Sequence, residues 1–480
     1  MNLVSIKKKY KEIPIEIKSA GWFLFCSMFP QVVTVFSTTI FTRMLSTYDY
    51  GITSNYSAWY QIVSIFLTFN LNCGVYNNAM LKYEKVRDEY DASMAELSLL
   101  LGSFGILAII VGNNKLPHLM NLPFSLIICM VLQCLLYNPY GCLLSRVKYE
   151  YNYIKLVKLT VSISILSFIF SLICILTFSN KGVGKVWGQN VVTMLVGVAI
   201  YVKIFKKNIT HFNVEMWKYA IKFNLPLIPH YLSLILLNQS DRLIIMSKCG
   251  ADKNGLYSVA YSAASLILIF NSSMTQAFTP WVYDKLNRKN IDGIKSSVKM
   301  LYMALAVIVV GFVLGAPELI GILAGSKYRE AIYVLPPIAV GMYFVFVYNV
   351  ISILEFFYER TKPVMIFSMI SAVLNIVLNY IYIPKYGYVA AAYTTLLCYL
   401  INALLHYAEA FIICKKMKLK NDLFATRLSF IVGIFLVGFA VFGLSIYEYV
   451  LIRWVLLLSI ILILFVYGYN KMKNSVRKGI

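Results

Sequence analysis

Long apolar stretches alternate with short polar loops along the whole of this 480-residue chain. There are about fourteen such stretches, most of roughly 17–25 residues, the length that crosses a bilayer as an α-helix. The pattern predicts an all-α polytopic membrane protein with about fourteen transmembrane helices. In order, the predicted helices are Gly21–Leu45, Ile52–Tyr76, Leu97–Gly112, Leu122–Leu144, Leu156–Phe178, Val183–Ile204, Ala220–Met246, Leu256–Tyr283, Met300–Leu323, Ile332–Phe357, Pro363–Ile383, Tyr388–Cys414, Leu428–Ile446 and Val450–Tyr469.

The stretch Asn224–Tyr261 combines features that a soluble helix would not tolerate together. Pro226 and Pro229 stand near the start of its apolar run, where each proline removes a backbone donor and kinks a helix. Membrane helices accept such breaks where neighbours or a water-filled cavity satisfy the freed carbonyls. Asp241 and Arg242 follow near the end of the run, and charges at such depth tend to face a cavity or a partner. We therefore expect a bent helix that lines a polar path.

An earlier part of the chain repeats this arrangement. Pro30 and Arg43 are thirteen residues apart, and so are Pro229 and Arg242. The sequence GITS and then YSA follows Arg43, while GLYS and then YSA follows Arg242. Pro30 therefore marks a second expected helix kink, equivalent to the one at Pro229.

A short turn with a lysine before a glycine also occurs twice, at Lys181 and at Lys385. Three echoes in the same order indicate an internal duplication, which is a recurring basis of transporter folds. Because the repeat unit holds six helices, both copies enter the membrane in the same orientation. We expect two six-helix lobes in parallel repeat around a central cavity, plus two C-terminal helices. The expected divisions are a basic tail at 1–20, an N-lobe at 21–207, a C-lobe at 208–417, and helices 13 and 14 with a second tail at 418–480.

Composition and charge support the membrane assignment, with 60% hydrophobic residues, 14% charged residues and a net charge of +23. Alternate loops carry 33 lysines and arginines on the side of the N-terminus and 10 on the other side. The positive-inside rule then places both termini in the cytoplasm. This asymmetry accounts for the basicity without a nucleic-acid partner and leaves membrane lipids as partners. The first apolar run is too long for a signal peptide, so we expect it to remain as a transmembrane helix.

The sequence has no cluster with the spacing of a catalytic or metal site. Its nine cysteines are scattered, without a CxxC pair or clustered histidines, which argues against a metal site and against a disulfide framework. A nucleophile–base cluster and a phosphate-binding glycine loop are also missing from the sequence. We therefore expect no enzyme activity, catalytic residue, metal or cofactor.

The duplicated segments resemble those of a known family. The run FTRMLSTYDYGITSNYSA, with NLPLIPHYLS, SDRLIIM and GLYSVAYS, is similar to the oligosaccharide flippases of O-antigen and capsule assembly. These form the polysaccharide-transporter branch of the superfamily that includes multidrug and toxic compound extrusion proteins and lipid II flippases. The resemblance covers the whole chain and implies a V-shaped carrier in the bacterial inner membrane. By alternating access, it would move undecaprenyl-pyrophosphate-linked oligosaccharide repeat units to the outer leaflet.

The same resemblance implies partners and a role for the last two helices. A polysaccharide polymerase and a chain-length regulator are the candidate protein partners, and H⁺ or Na⁺ is the candidate coupling ion. In the lipid-substrate branch an extra helix pair is thought to contact the lipid tail, so helices 13 and 14 are expected to do so here.

Three charged residues are candidates for an extracytoplasmic gate. Arg43 and Arg242 each follow the start of their predicted helix by about 22 residues, roughly 33 Å along its axis. Both therefore lie near the outer edge of the hydrocarbon, where snorkelling interfacial anchors are the alternative interpretation. In the gate hypothesis Asp241 pairs with Arg43 across the lobes, and Arg242 contacts the path.

The remaining candidates are weaker. His230 lies near mid-depth after Pro229 and is either hydrogen-bonded core or a residue that senses protons or contacts phosphate. The amides of Asn271 and Gln276 suit a hydrated sugar path, with hydrogen bonding between helices as the alternative. Lys155 and Lys158 are candidate vestibule cations for pyrophosphate, although positive-inside placement also explains them.

Two other functions compete with a flippase. A small-molecule or cation exporter of the same superfamily predicts twelve core helices and an acid at mid-membrane, and the sequence offers neither. A membrane enzyme of the same pathway, such as a polymerase or a lipid-linked glycosyltransferase, predicts a large outer loop, whereas every outer loop here is short.

Overall fold

The computed structural model describes residues 14–113, 115–206, 212–419, 422–459 and 462. The regular structure of these residues is helical, and no β-strand occurs among them, so the predicted all-α class is confirmed. The chain divides into two compact units, the first ending at Ser258 and the second beginning at Val259. The predicted lobe boundary at residue 207 lies earlier than this division, and the arrangement of two six-helix lobes stays a prediction.

The first unit contains ten complete helices among the described residues. They are α1 Ile15–Met44, α2 Thr47–Thr68, α3 Gly74–Lys82, α4 Arg87–Gly112, α5 Leu116–Met120, α6 Phe124–Tyr149, α7 Tyr153–Thr177, α8 Lys181–Lys206, α9 Val214–Asn224 and α10 Ile228–Cys249. Single 3₁₀ turns, Glu84–Val86 and Leu225–Leu227, precede α4 and α10.

One helix, α11 (Ala251–Asn287), begins in the first unit and ends in the second. The described residues of the second unit then form α12 Ile294–Leu314, α13 Ala316–Ala324, the 3₁₀ segment Ser326–Tyr333, α14 Leu335–Phe357, α15 Thr361–Tyr386, α16 Ala390–Lys416, α17 Thr426–Ser445 and α18 Val450–Ser459.

Twelve helical stretches of the described chain are long and apolar enough to cross a membrane, so the protein is a multi-pass membrane protein. The 22-residue helix α2 is not among them, although its length suits a span. The predicted fourteenth helix is described only as far as Ser459 and at Leu462, and most of the basic N-terminal tail also lies outside the described residues. The count of fourteen therefore stays a prediction.

Several helix ends differ from the expected ones. The helix α2 ends at Thr68 because Phe69 adopts a left-handed conformation and caps it. The helix expected from Leu97 already begins at Arg87, since its first turns are polar and carry no apolar signal. The ninth predicted helix is divided at Gly315 into α12 and α13.

Small residues on α8 let two neighbouring helices approach its backbone. A Cβ at Gly188 would lie 2.5 Å from the carbonyl oxygen of Phe170 on α7, and one at Gly197 would lie 1.9 Å from that of Leu136 on α6. Close backbone approach at small residues is the usual way in which membrane helices associate, because burial from water drives little of their packing. Glycines on α8 therefore let its backbone lie directly against those of α6 and α7.

In the second unit α14 is the central helix, and most of its side chains are buried. Buried amides and hydroxyls connect two of the helices around it: Asn375 of α15 donates to Thr395 of α16 at 3.1 Å, and Ser371 donates to Asn402 at 3.2 Å. Such contacts between membrane helices each contribute about 0.6 kcal/mol on average.

Candidate functional site

The proline-containing stretch is divided into three parts. The helix α9 ends at Asn224, Pro226 lies in the following 3₁₀ turn, and Pro229 lies in the first turn of α10. A missing backbone donor costs little in a first turn, because that N–H has no partner within the helix. The Asn224 side chain donates to the carbonyl of Phe69 at 2.9 Å, so this break lies beside the left-handed end of α2. Between α9 and α10 the regular helix is interrupted, and a side-chain hydrogen bond from Asn224 holds this break against the end of α2.

His230 follows this break directly. Its side chain is half-buried, and its Nδ1 atom is buried without a hydrogen-bond partner in the structure. The ring packs at 5.8 Å against that of Tyr231. This placement does not test whether His230 contacts phosphate or senses protons, and both roles stay predictions.

Pro30 lies inside α1, which continues through it. The hydroxyls around it bond to their own helix: Thr34 donates to the carbonyl of Pro30 at 2.8 Å, and Thr38 donates to that of Thr34 at 2.9 Å. Hydroxyls that bond four residues back often bend a helix. In this structure they satisfy local carbonyls.

The echoed segments contact each other where α2 and α11 begin. A Cβ at Gly51 would lie 1.8 Å from the carbonyl oxygen of Ala251, and one at Gly255 would lie 2.1 Å from that of Thr47. The two backbones therefore touch at equivalent glycines of the repeat. We call this contact between the starts of α2 and α11 the glycine contact.

Polar groups surround the glycine contact. The hydroxyls of Ser54 and Ser258, which are equivalent in the repeat, lie 2.5 Å apart and are buried. The Asn254 side chain donates to the carbonyl of Gly51 at 2.9 Å. At the exposed edge Thr47 donates to Asp252. The matching sequences GITS and GLYS thus form one self-complementary surface.

The three candidate gate residues lie on the helices that lead into this contact. Arg43 is exposed in the last turn of α1. Asp241 is buried on α10 and accepts a hydrogen bond from Tyr257 of α11. Arg242 is half-buried and donates to Gln239 of its own helix. Asp241 is therefore attached to the start of α11, and its pairing with Arg43 stays a prediction.

A lysine that sequence analysis counted only as a loop charge lies close to α1 and α2. The Nζ atom of Lys185 lies 3.3 Å from the hydroxyl of Thr53 and over the rings of Tyr50 and Phe41, at 4.5 and 5.1 Å. Aromatic faces attract a cation and help to hold it in an apolar setting. The sequence does contain a sign of this placement, because Lys185 is a charged residue inside the predicted helix Val183–Ile204.

The amide candidates Asn271 and Gln276 lie in the second unit. Asn271 is buried and donates to the carbonyl of Met342 on α14 at 2.9 Å, which favours the role in helix packing. Gln276 is exposed five residues further along α11. Their place on a sugar path stays a prediction.

Arg146 holds three carboxylates at one end of the first unit. It lies 2.5 Å from Asp88, 2.7 Å from Asp91 and 2.8 Å from Glu150, while Tyr76 donates to Asp91. The arginine is in the last turn of α6, and the two aspartates are in the first turns of α4, where helix dipoles favour each charge. Arg146 and its three carboxylates line a cavity of about 320 Å³, and Lys155 lines it as well.

The two vestibule lysines are placed differently. The first turn of α7 is capped by Asn152, which accepts from the backbone N–H of Lys155 at 3.1 Å. Lys158, one turn later, is exposed and is not part of the cavity wall. Because Lys155 shares its cavity with three carboxylates, this wall attracts pyrophosphate less than the lysine alone would.

A buried acid and base meet in the second unit. Glu355 of α14 and His406 of α16 are both fully buried, with both carboxylate oxygens within 2.9 Å of the imidazole Nδ1. Nearby, Arg360 donates to Glu409 at 2.7 Å.

One ion pair joins the start of α18 to the turn between α12 and α13. Arg453 is buried, and it donates to Glu318 at 2.7 Å and to the carbonyl of Leu314 at 2.8 Å. Partial burial raises the pKa of Glu318, but the hydrogen bond from Arg453, its positive charge and further hydrogen bonds together outweigh this effect, and the net pKa lies below its ordinary value. The arginine that opens the predicted last helix is therefore a structural anchor.

Within the described ranges, no group of three or more His, Cys, Asp or Glu side chains is placed to hold a metal ion.

Two models of protein families match the chain. The model described as a polysaccharide biosynthesis protein matches residues 17–284, and the MatE model matches residues 226–381.

Curated relatives match over shorter stretches. "Lsg locus putative protein 1" of Haemophilus influenzae is 34% identical over 73 residues, which are 15% of this chain and 18% of that protein. "Probable low-salt glycan biosynthesis flippase Agl15" of Haloferax volcanii is 26% identical over 167 residues, 34% of this chain and 35% of that one. The matched stretches therefore span well under half of either relative.

Solved structures share the fold over most of the chain. An inward-facing multidrug resistance MATE family transporter gives a TM-score of 0.65 at 13% identity and covers 81% of this chain and 95% of that one. The lipid II flippase MurJ in an inward closed conformation gives 0.59 at 17% identity, with 89% and 99% covered.

Proposed function

The chain belongs to the polysaccharide biosynthesis protein family, and from this premise we propose that it flips lipid-linked oligosaccharides across a membrane. The substrate is an undecaprenyl-pyrophosphate-linked repeat unit for O-antigen or capsule, moved by alternating access in the bacterial inner membrane. Two similar proteins that carry the word flippase in their names support this choice. The chain acts as a carrier rather than an enzyme, with both termini in the cytoplasm.

The observation that carries the mechanism is the glycine contact. Equivalent glycines and equivalent serines of a duplicated sequence face each other, so the surface is complementary to itself. The side of the membrane follows from the positive-inside pattern, which puts the starts of α2 and α11 outside. In the proposed cycle this contact is closed while the carrier accepts substrate inside, and it parts to release substrate outside.

Charged residues near the contact take the roles expected from the sequence. Arg242 guides the pyrophosphate, because a guanidinium binds phosphate oxygens in a bidentate pose. Arg43 and Asp241 pair as the glycine contact closes. His230 supplies proton sensing or a phosphate contact, and Asn271 and Gln276 supply amides to the sugar. Transport uses an H⁺ or Na⁺ gradient and delivers substrate to a polymerase and a chain-length regulator.

Flipping in proteoliposomes tests the proposal directly. A lipid-linked oligosaccharide is placed in one leaflet, and its arrival in the other is followed with an impermeant lectin. Transfer above that of empty liposomes, lost in folded Arg242→Ala and kept in Arg288→Ala, supports the flippase and the role of Arg242. Arg288 is the matched control because it is an exposed arginine that follows α11 directly and pairs with Asp284 of that helix. Absence of transfer under any ion gradient favours the alternative, a small-molecule exporter, and one structural neighbour is named a multidrug resistance transporter.

A cross-link tests the proposed movement. Ser54→Cys with Ser258→Cys places two thiols where the hydroxyls now lie 2.5 Å apart, within reach of a disulfide. Oxidation should abolish flipping and a reductant should restore it, while each single variant should be insensitive to both reagents. Full transport by the oxidised double variant would exclude the glycine contact as the moving part.

A further inference from the structure

A cavity opens at one end of the first unit, among helices α4, α6, α7 and α8. It holds about 320 Å³, which lies at the lower end of the range for small-ligand sites. Helix direction places its charged residues at a common end: α4 and α7 begin there, and α6 and α8 end there. The positive-inside pattern assigns this end to the cytoplasmic leaflet.

The wall of the cavity changes character along its depth. The apolar lining residues that lie further from the helix ends than Arg146 and Lys203 extend toward the membrane interior: Pro139, Cys142, Leu143 and Ile200. Val147 and Ile204 are also apolar but lie beside the charged residues. Charged residues form the part at the helix ends: Asp88, Asp91, Arg146, Glu150, Lys155 and Lys203. A ligand that fits both parts has an apolar segment and a charged head.

The charged part carries both signs in separate places. Arg146 is shared among three carboxylates, so that group has an excess of negative charge. Lys155 and Lys203 are exposed on the neighbouring helices α7 and α8 and supply positive charge. A pure anion meets the carboxylates and a pure cation meets the lysines, and each arrangement is unfavourable at these distances. A head that itself carries both charges satisfies both groups.

We propose that this cavity binds a phospholipid with a primary-amine headgroup from the cytoplasmic leaflet. The ammonium donates to the carboxylates around Arg146, the phosphate accepts from Lys155 and Lys203, and an acyl chain lies along the apolar wall. A quaternary choline head has no N–H to donate, so the carboxylates distinguish the two zwitterionic heads. Binding does not depend on which molecule the protein transports.

Lipid titrations of the full chain in detergent test this site. Dioleoyl phosphatidylethanolamine or dioleoyl phosphatidylcholine is added at equal mole fractions, and affinity is read from the rise in Tm. Wild-type protein should prefer the ethanolamine lipid by about tenfold, as expected for charge-assisted hydrogen bonds. Lys155→Ala with Lys203→Ala should weaken binding of both lipids, whereas Asp88→Asn should reduce the preference between them.

The control variant is Lys158→Ala, which removes the same charge one turn along α7 but outside the wall. It should bind both lipids as wild type does. Soluble phosphoethanolamine should give no rise in Tm at the same concentration, because it lacks the segment that contacts the apolar wall. Equal rises with both lipids in the wild type, unchanged binding in the folded double-lysine variant, or an unchanged preference in folded Asp88→Asn would overturn the site. Lipid-free Tm and gel filtration establish that each variant is folded.

Discussion

Replacing Gly51 with alanine is the smallest change that acts on the glycine contact. The added Cβ would lie 1.8 Å from the carbonyl oxygen of Ala251 and 2.6 Å from its carbonyl carbon. These are backbone atoms, so no side-chain rotation can relieve the overlap. The starts of α2 and α11 must separate until the contact reaches at least 3.0 Å.

The cost of that separation can be estimated from the structure. Overpacking a close contact costs about 1–3 kcal/mol. The same movement lengthens the Ser54–Ser258 and Asn254–Gly51 hydrogen bonds, each worth about 0.5–1.5 kcal/mol. Even a total of about 2 kcal/mol raises the population with the contact open by about thirtyfold.

Labelling of a buried position measures this population. With Ser54→Cys in place, an impermeant maleimide added from outside should react about thirtyfold faster when Gly51→Ala is also present. The same vesicles without Ser54→Cys give the background from the native cysteines. Gly438→Ala is the matched control, because a Cβ there meets no atom within 4 Å. Equal labelling rates in folded protein with and without Gly51→Ala would refute the argument.

A second glycine sharpens the same test. A Cβ at Gly255 meets the carbonyl oxygen of Thr47 at 2.1 Å, so Gly255→Ala alone should act like Gly51→Ala. Once one alanine has separated the starts of α2 and α11, the second alanine overlaps less with the opposite backbone. The two changes should therefore be clearly less than additive, whereas independent sites would add within about 0.5 kcal/mol.

Three ion-pair predictions concern stability. His406→Leu leaves Glu355 buried without its base and should lower stability by about 3–5 kcal/mol, while adding Glu355→Leu should recover much of the loss of Tm. Arg146→Ala leaves three carboxylates together, so its Tm should rise with salt more steeply than that of wild type, and Arg146→Lys should restore it only partly. The pKa of Glu318 is lowered in the folded protein, so its contribution is present above pH 4.5 and is lost as pH falls through the lowered value. Over that window the Tm of wild type should therefore fall more than that of Glu318→Gln, and equal slopes would contradict the role of Arg453.

The sequence predicted the helices from run length, because a bilayer fixes how many apolar residues a span needs. Their ends depend on backbone features with no apolar signal. The left-handed conformation of Phe69 ends α2 within a run that remains apolar, and Gly315 divides another run into α12 and α13. Polar first turns such as that at Arg87 are helical because they continue a buried helix, which only the tertiary structure reveals.

The candidate site was predicted in part. The repeat spacing singled out the GITS and GLYS segments, but it could not show that they contact one another, since that depends on how the helices pack. The Arg146 group joins residues 55 and 58 positions apart, and Glu355 lies 51 positions from His406. Each charge had an ordinary local explanation at a helix end. Pairing across such distances has no local signal in a single sequence.

The strengths of these contacts differ in a way that bears on movement. At the glycine contact, equivalent serines share a neutral hydrogen bond and an amide donates to a carbonyl, with one charged acceptor, Asp252, at the exposed edge. Neutral hydrogen bonds each contribute only about 1 kcal/mol net, because water replaces the partner when the bond breaks. The buried pair Glu355–His406 of the second unit is different, because removing one partner of such a pair costs about 3–5 kcal/mol. A carrier that cycles must break some contacts repeatedly and keep others intact. Since neutral hydrogen bonds join the repeated segments of the first unit and a buried acid–base pair joins α14 to α16, we expect the chain to open at the start of α2 and α11 rather than between α14 and α16.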